Sequence, residues 1–381
     1  MSRQSLDGSV NGSMVLCKRC QELEATMECF GKYIGMKVVK RMDSYRVRNT
    51  ADRKAPVLLL PISFGVSSIT LLHLLDSYLK SQVQRTRKRG FSLMVVTILD
   101  SLDGLSAGTD ELLERLRQTY PEHGYLSVPL ADVSNYENIL DEVCLGTSSP
   151  YPGEHIGVIS NQEKLAKCLR SLPSATSRSD ILNILRTRLI VKVAQEHGCE
   201  GIVWGDSTTR LAEKTLADAA KGRGYALPWQ VADGTSPHGL SFNYPVRDLL
   251  KKEIVAYSEL LPPPLLSLIV PQEPLSQVSA SAKDTTIDDL MTQYFGSVEE
   301  NFPSIVANVV RTSGKLKAAS FDDQTMKCAV CKMPIARDSL GLQSWGGNQE
   351  GSIEDSIDPG SQNPHSLCYG CARSTLCDSS T

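Results

Sequence analysis

Two cysteine pairs near the C-terminal end, Cys328-Ala-Val-Cys331 and Cys368-Tyr-Gly-Cys371, carry the strongest chemical signal in the chain. Two such C-x-x-C pairs supply four thiolates, enough for a closed tetrahedral zinc site. Closure around a metal would hold together a tail too polar to fold on its own core. The alternative is four reduced thiols in an unstructured tail. Cys377 is spare and His365 is a weaker candidate ligand. Toward the other end, Cys17, Cys20 and Cys29 offer three more thiols, and that second metal site stays open.

A second stretch could handle phosphate. Val57–Ile62 is a short apolar run that reads as a buried strand, and Ser63–Ser68 is a turn of mostly small residues. Leu71, Leu72, Leu74, Leu75 and Leu79 then follow at helical spacing. A strand, a tight turn and a helix whose first amides face the turn make an anion cradle. The turn resembles the PP-loop of ATP-dependent tRNA-modifying enzymes, whose pattern is Ser-Gly-Gly-x-Asp-Ser. Ser63, Gly65, Ser67 and Ser68 are the candidate nucleotide-binding positions. Phe64 puts a large side chain where a glycine would let backbone approach a polyphosphate. Ser67 lacks the carboxylate that sits near a metal-bound pyrophosphate. The loop can turn but is poorly equipped to activate ATP, so ATP is not expected as a cofactor of this chain.

A third signal is electrostatic. Between Lys32 and Lys54 there are eight Lys or Arg against Asp43 and Asp52. Tyr33, Ile34, Met36, Val38, Val39 and Met42 interleave, which predicts an amphipathic helix with a basic face. Lys37, Lys40, Arg41, Arg46 and Arg48 are the candidate contacts to an RNA phosphate backbone. A solvated helix face is the competing reading. The run Arg85–Arg89 is read as a cationic helix end, favoured by the dipole.

The elements that must position these residues alternate. Strands are expected at Phe91–Leu99, Gly124–Pro129 and Gly201–Trp204, and helices at Glu111–Thr119, Asn161–Leu172 and Arg178–His197. A second strand–turn–helix spans Gly205–Leu216, with cap candidates Ser207, Thr208 and Thr209. A further turn enters a helix over Phe242–Ile254. Such alternation implies a Rossmann-like α/β domain, a parallel sheet with helices on both faces that binds at the carboxyl edge of its strands. Residues 1–16 are read as an unstructured start, 17–54 as the basic Cys-containing segment and 55–260 as the α/β domain. Residues 261–285, with five Pro between Leu261 and Lys283, read as a linker. A helical segment (286–320) and a Cys-rich tail (321–381) complete the order.

Composition sets bounds. Of the 381 residues 41% are hydrophobic and 22% charged, ordinary for a soluble globular protein, and the net charge of −3 confines any RNA surface to a local patch. No apolar run is long enough to span a bilayer, and Met1–Met14 lacks the apolar core of a secretory signal. Eleven Cys, several in C-x-x-C pairs, suggest metal thiolates rather than disulfides, with cytoplasm as the compartment.

Taken in order from about Cys17 to Cys371, these stretches resemble the cytoplasmic tRNA 2-thiolation protein 2 family. Gly205, Ala212 and Glu213 match an element that reads Gly-His-Asn-x-x-Asp-x-Ala-Glu in active relatives, with Asp206 in place of the His and Arg210 at or beside the Asp. Tyr244-Pro-Val-Arg-Asp248 is similar to an Arg-Pro-Leu-Arg-Asp element without its first Arg. Catalytic relatives carry a C-x-x-C pair before a helix bearing two Arg, here near Arg186 and Arg188. No Cys occurs between Cys168 and Cys199. Cys144, Cys168 and Cys199 read as buried small hydrophobes. The resemblance also implies a second N-terminal C-x-x-C ending at Cys29-Phe30, where Thr26 replaces the partner thiol.

The resemblance implies a non-catalytic subunit, heterodimeric with a catalytic PP-loop subunit, in 2-thiolation of the wobble uridine of tRNA Lys, Glu and Gln. Sulfur would come from a thiocarboxylated ubiquitin-related modifier, and a link to protein conjugation by that modifier (urmylation) stays open. The rival readings are an autonomous ATP-dependent tRNA sulfurtransferase and a zinc-dependent interaction module with no tRNA role.

Overall fold

A computed structural model of the chain describes residues 27–47, 55–100, 106–136, 139–144, 160–260, 265–270, 285–318, 325–335 and 367–375. Its centre is strand β1 (Val57–Pro61), apolar throughout and covered on both faces, as an interior parallel strand must be. The period of two divides its side chains. Leu58 and Leu60 join Val95 in one core, and Leu59 joins Val96 and Ile202 in the other.

Helix α1 (Met27–Arg41) precedes β1, and α2 (Val66–Thr86) follows it. Next come β2 (Ser92–Leu99), α3 (Ser106–Thr119) and β3 (Gly124–Pro129). Short helices α4 (Val133–Tyr136) and α5 (Ile139–Cys144) lead to α6 (Asn161–Arg170) and the long α7 (Ala175–Glu196). Strand β4 (Gly201–Val203), α8 (Thr208–Ala220), α9 (Leu227–Gln230), β5 (Gly234–Thr235), β6 (Ser241–Asn243) and α10 (Lys251–Leu260) complete the sheet region. The strand order is β3-β2-β1-β4-β6-β5, parallel except for β5 at the edge. The order reverses between β1 and β4, so the expected α/β fold stands and its cleft lies at that switch point.

The elements beyond the sheet differ in part from the sequence expectation. Leu265–Leu268, inside the Pro-rich stretch read as a linker, forms a 3-10 turn with Leu265 and Leu268 buried against α2 and α10. Their burial adds apolar contact that the surrounding prolines concealed. Helices α11 (Ile287–Asn301) and α12 (Pro303–Ser313) lie on α8. Their Phe295, Val306 and Val310 share the core that contains Leu59 and Ile202. The last helix, α13 (Tyr369–Thr375), packs on α7. The cysteine knuckles are thus part of the main core, since Cys328, Val330, Cys331 and Cys371 belong to that same cluster. Among the described residues no helix is long and apolar enough to cross a membrane.

Candidate functional site

The loop after β1 turns through Phe64, whose φ of 55° lies in the left-handed region that favours glycine. Its ring is nevertheless buried, and the backbone N–H of Val270 donates to its carbonyl at 2.9 Å. The segment carrying Leu265 and Leu268 is therefore fastened directly to the loop. Gly65 caps α2 without a side-chain bond, while the Ser68 hydroxyl turns back to the Gly65 carbonyl at 3.0 Å. Opposite, Gly205 approaches so closely that a Cβ there would stand 3.0 Å from Ser68 Cα. Ser207 caps α8 by accepting the Arg210 N–H. Ser63, Gly65, Ser67 and Ser68 do line the cleft at the switch point, which encloses about 1010 Å³.

The cleft is crowded with charge that already has partners. Arg186 donates to Asp100 at 2.8 and 3.1 Å, Lys214 to Asp206 at 2.7 Å and Arg210 to Glu213 at 2.9 Å. Deeper in, Lys221 meets Asp180 and Asp218 at 3.2 Å each and Asp288 at 3.1 Å. Burial opposes ionisation of Asp180, yet Arg223 and Lys221 outweigh it and hold its carboxyl below the usual range. Burial acts on Asp218 in the same sense and prevails, so its carboxyl is pushed up.

The four C-terminal cysteines converge, with all four Sγ atoms within 4.8 Å of one another. Cys331 and Cys368 Sγ stand 3.7 Å apart, close to the ~3.8 Å edge of a tetrahedron with Zn–S bonds of ~2.3 Å. The Cys368 N–H points at Cys328 Sγ at 3.3 Å. Hydrogen bonds among the sulfurs pull the Cys328 thiol far down and push those of Cys331 and Cys371 up. Four apposed sulfurs cannot all ionise without a cation between them, and the donor set fits a tetrahedral metal.

Two buried arginines, invisible as candidates in the sequence, anchor this site. Arg188 Nη1 donates to the Ala329 and Val330 carbonyls at 2.9 and 2.8 Å. Burial lowers its pKa to about 10, with Cys331 and Cys328 acting the other way. Arg223 Nη1 donates to Cys371 Sγ at 3.1 Å, while its Nε reaches Asp180 at 3.2 Å. Ser374 on α13 closes the ring by donating to Asp180 at 2.6 Å. The turn that presents Arg223 sits flush on the knuckle: Gly222 has φ 78°, and a Cβ there would come 2.4 Å from the Tyr369 ring. Arg188 had only its position on the helix compared with relatives as a sequence signal, and Arg223 had none.

Part of the basic segment has partners within the chain. Lys37 Nζ donates to the Asp248 carbonyl at 2.7 Å, and Arg41 pairs with Asp248 at 2.7 Å and Asp233 at 3.4 Å. Ile34, Val38 and Met42 are buried beneath them, so these two cations staple α1 to the turn after β6. Lys40 and Arg46 remain exposed, and Arg48 lies outside the described residues. Lys40 and Arg41 line a groove of about 770 Å³ together with Arg247 and, from α12, Arg311. Cys17, Cys20, Thr26, His365 and Cys377 also lie outside the described residues. Cys29 is half-buried and Cys168 and Cys199 are buried, the last with its thiol pKa pushed up by burial.

Burial also governs His238 in the cleft. Desolvation, then Arg188 and Lys327, lower its pKa to about 4. A histidine held neutral in the fold but free to charge near pH 6.5 when unfolded gives stability that is complete above pH 6.5. That stability is lost as pH falls toward 4. His238→Phe is expected to flatten the acid limb of the stability curve, by at most ~3 kcal/mol near pH 4. Urea titrations at pH 7.5 and pH 4.5 measure the difference, and equal pH dependence in both proteins would refute the assignment.

A family model described as cytoplasmic tRNA 2-thiolation protein 2 matches residues 286–373. A protein of that name from Phaeosphaeria nodorum is 46% identical over 372 residues, covering 94% of this chain and 94% of the relative. One from Sclerotinia sclerotiorum is 49% identical over 307 residues, covering 77% and 80%. Among solved structures, the U34-tRNA thiolase NcsA from Methanococcus maripaludis, determined with its [4Fe-4S] cluster, aligns with a TM-score of 0.54 at 15% identity. That alignment covers 90% of this chain and 99% of NcsA, a likeness of fold.

Proposed function

This chain belongs to the cytoplasmic tRNA 2-thiolation protein 2 family, and we propose that it is the non-catalytic subunit of a cytoplasmic tRNA thiolation enzyme. Its partner would be a catalytic PP-loop subunit, and the product the 2-thiolated wobble uridine of tRNA Lys, Glu and Gln. Sulfur would reach that partner from a thiocarboxylated ubiquitin-related modifier. The observation that carries the reading is the loop after β1, where a buried left-handed Phe64 tied to Val270 occupies the phosphate-handling turn. No acid is present at Ser67, and no Cys lies between Cys168 and Cys199 to carry sulfur. A thiol is needed there because Ser or Asp cannot hold a persulfide.

The C-terminal cysteines hold zinc in this reading, as a structural wall of the cleft. Three N-terminal cysteines, Cys17, Cys20 and Cys29, are kept as a second candidate set. The reconstituted pair should thiolate tRNA only when this chain is present. Equal thiolation by the catalytic subunit alone would overturn the proposal. An autonomous sulfurtransferase would instead require tight Mg-ATP binding by the isolated chain, lost in Gly65→Trp, which calorimetry detects.

The subunit's own contribution to tRNA binding is assigned to the groove between α1 and α12. Lys40 lines it from the basic segment and Arg311 extends it from the facing helix, while Arg46 is exposed outside the groove, 3.9 Å from Asp43. Lys37 and Arg41 act there by holding α1 in place. Reversing Lys40 and Arg311 together to Glu is expected to weaken tRNA binding at least tenfold at low salt. The slope of log K against log salt should fall by ~1–2. Filter binding across a salt series measures both, and an unchanged slope would remove the groove from the interface.

A further inference from the structure

Among the described residues, five buried side-chain atoms of cleft-lining residues have no hydrogen-bond partner, and three of them belong to one group: Trp204 Nε1, Gln230 Oε1 and His238 Nε2. The cleft brings them around one aromatic centre. The Trp204 and His238 rings both rest against Phe242, with centroids 5.5 and 6.1 Å away. Gln230 is tied to the same strand end, because the Tyr244 hydroxyl donates to its carbonyl at 2.6 Å. Buried polar groups are rarely left unpaired, and each one that is destabilises the free protein. A cluster of them facing an open cleft therefore marks a place where something else completes the bonding.

The unpaired atoms define what that is. An indole N–H only donates, an amide oxygen only accepts, and a neutral imidazole nitrogen does either. Phe242, Trp204 and His238 supply flat apolar walls, and Lys214 places its ammonium 5.8 Å from the Trp204 ring centroid. A donor and acceptors lining one cleft beside aromatic rings, with the Lys214 ammonium shared between Asp206 and the Trp204 face, suit the polar edge of a heterocycle carrying a phosphate. We propose that this pocket binds a nucleobase, its polar edge bonded by Trp204 and Gln230. The proposal goes beyond the thiolation reading, because it gives this subunit a ligand of its own, held by Trp204 and Gln230 in the cleft that the Phe64 loop also lines.

The test uses the full-length, metal-loaded chain. Uridine, cytidine, adenosine and guanosine 5′-monophosphates and a single-stranded oligouridine are each titrated by calorimetry into the parent protein, Gln230→Leu and Trp204→Phe. At least one probe should bind saturably, with affinity lowered about tenfold or more in either variant. The melting temperature of each free variant should hold or rise by a few degrees, since an unpaired buried atom has been removed. Weaker binding joined to undiminished stability separates a ligand site from a structural one. Binding of a mononucleotide identifies a free nucleotide as the occupant, and binding of the oligouridine alone identifies an RNA base. No saturable binding of any probe at millimolar concentration would leave ordered water as the occupant and overturn the proposal. Equal affinity in both variants, or a marked fall in their melting temperatures, would do the same.

Discussion

Chelating the metal that the four cysteines are proposed to hold, or replacing Cys328 by Ser, is expected to loosen the entire wall of the cleft. The four sulfurs tie residues 325–335 to residues 367–375, which are otherwise joined by a long polar insertion. A metal bound by the fold and not by the unfolded chain adds its binding free energy to folding. The loss should be on the order of 5 kcal/mol or more, confined first to the knuckles. Hydrogen exchange should accelerate at residues 325–335 and 367–375 and in the carboxyl half of α7, where Arg188 loses its carbonyl partners. Strands β1 and β2 should keep their protection. Elemental analysis decides the metal: one zinc per chain agrees with the proposal, iron would replace zinc in it, and a metal-free protein with fully protected knuckles would refute it.

Asp180→Ala is the second large effect. Asp180 is 3% exposed and shared by Arg223, Lys221 and Ser374. Removing it leaves two buried cations facing each other, and breaking a buried pair from one side costs about 3–5 kcal/mol. The melting temperature should fall by roughly 10 °C. The damage should also reach the metal, because Arg223 loses the carboxylate that aims it at Cys371. Faster zinc release to a chromogenic chelator is the expected readout. Asp180→Asn, which preserves the shape, should do less harm than the alanine. Wild-type release kinetics in Asp180→Ala would show that the network does not support the knuckle.

The centre of the parallel sheet was legible because β1 and β4 are buried and read as short apolar runs. β1, β2, β3 and β4 lie within a residue or two of their expected bounds. The edge was not legible: β5 is two residues long and antiparallel, too short for any period to register. The cysteine quartet was readable from spacing alone, whereas Arg223 was not. A single arginine in a turn becomes conspicuous only when folding brings Asp180 and Cys371, 43 and 148 residues away, to either side of it. The basic helix shows the converse difficulty. Charge counting sees eight cations but cannot see that Asp233 and Asp248, about 200 residues along the chain, claim Arg41. The turn at Leu265–Leu268 was hidden by its prolines, which signal a break in regular structure and say nothing about burial.

The tie between Phe64 and Val270 bears on how such a chain changes over generations. A glycine at position 64 would relieve the left-handed backbone, worth ~1–2 kcal/mol, but would empty the space filled by the ring beside Leu265 and Leu268, at ~3–5 kcal/mol. Reversal to glycine at this position is therefore a step downhill in stability. Once the ring and the segment carrying Leu265 and Leu268 had locked together, a return to glycine at position 64 was closed to one-step mutation unless a second change refilled the space.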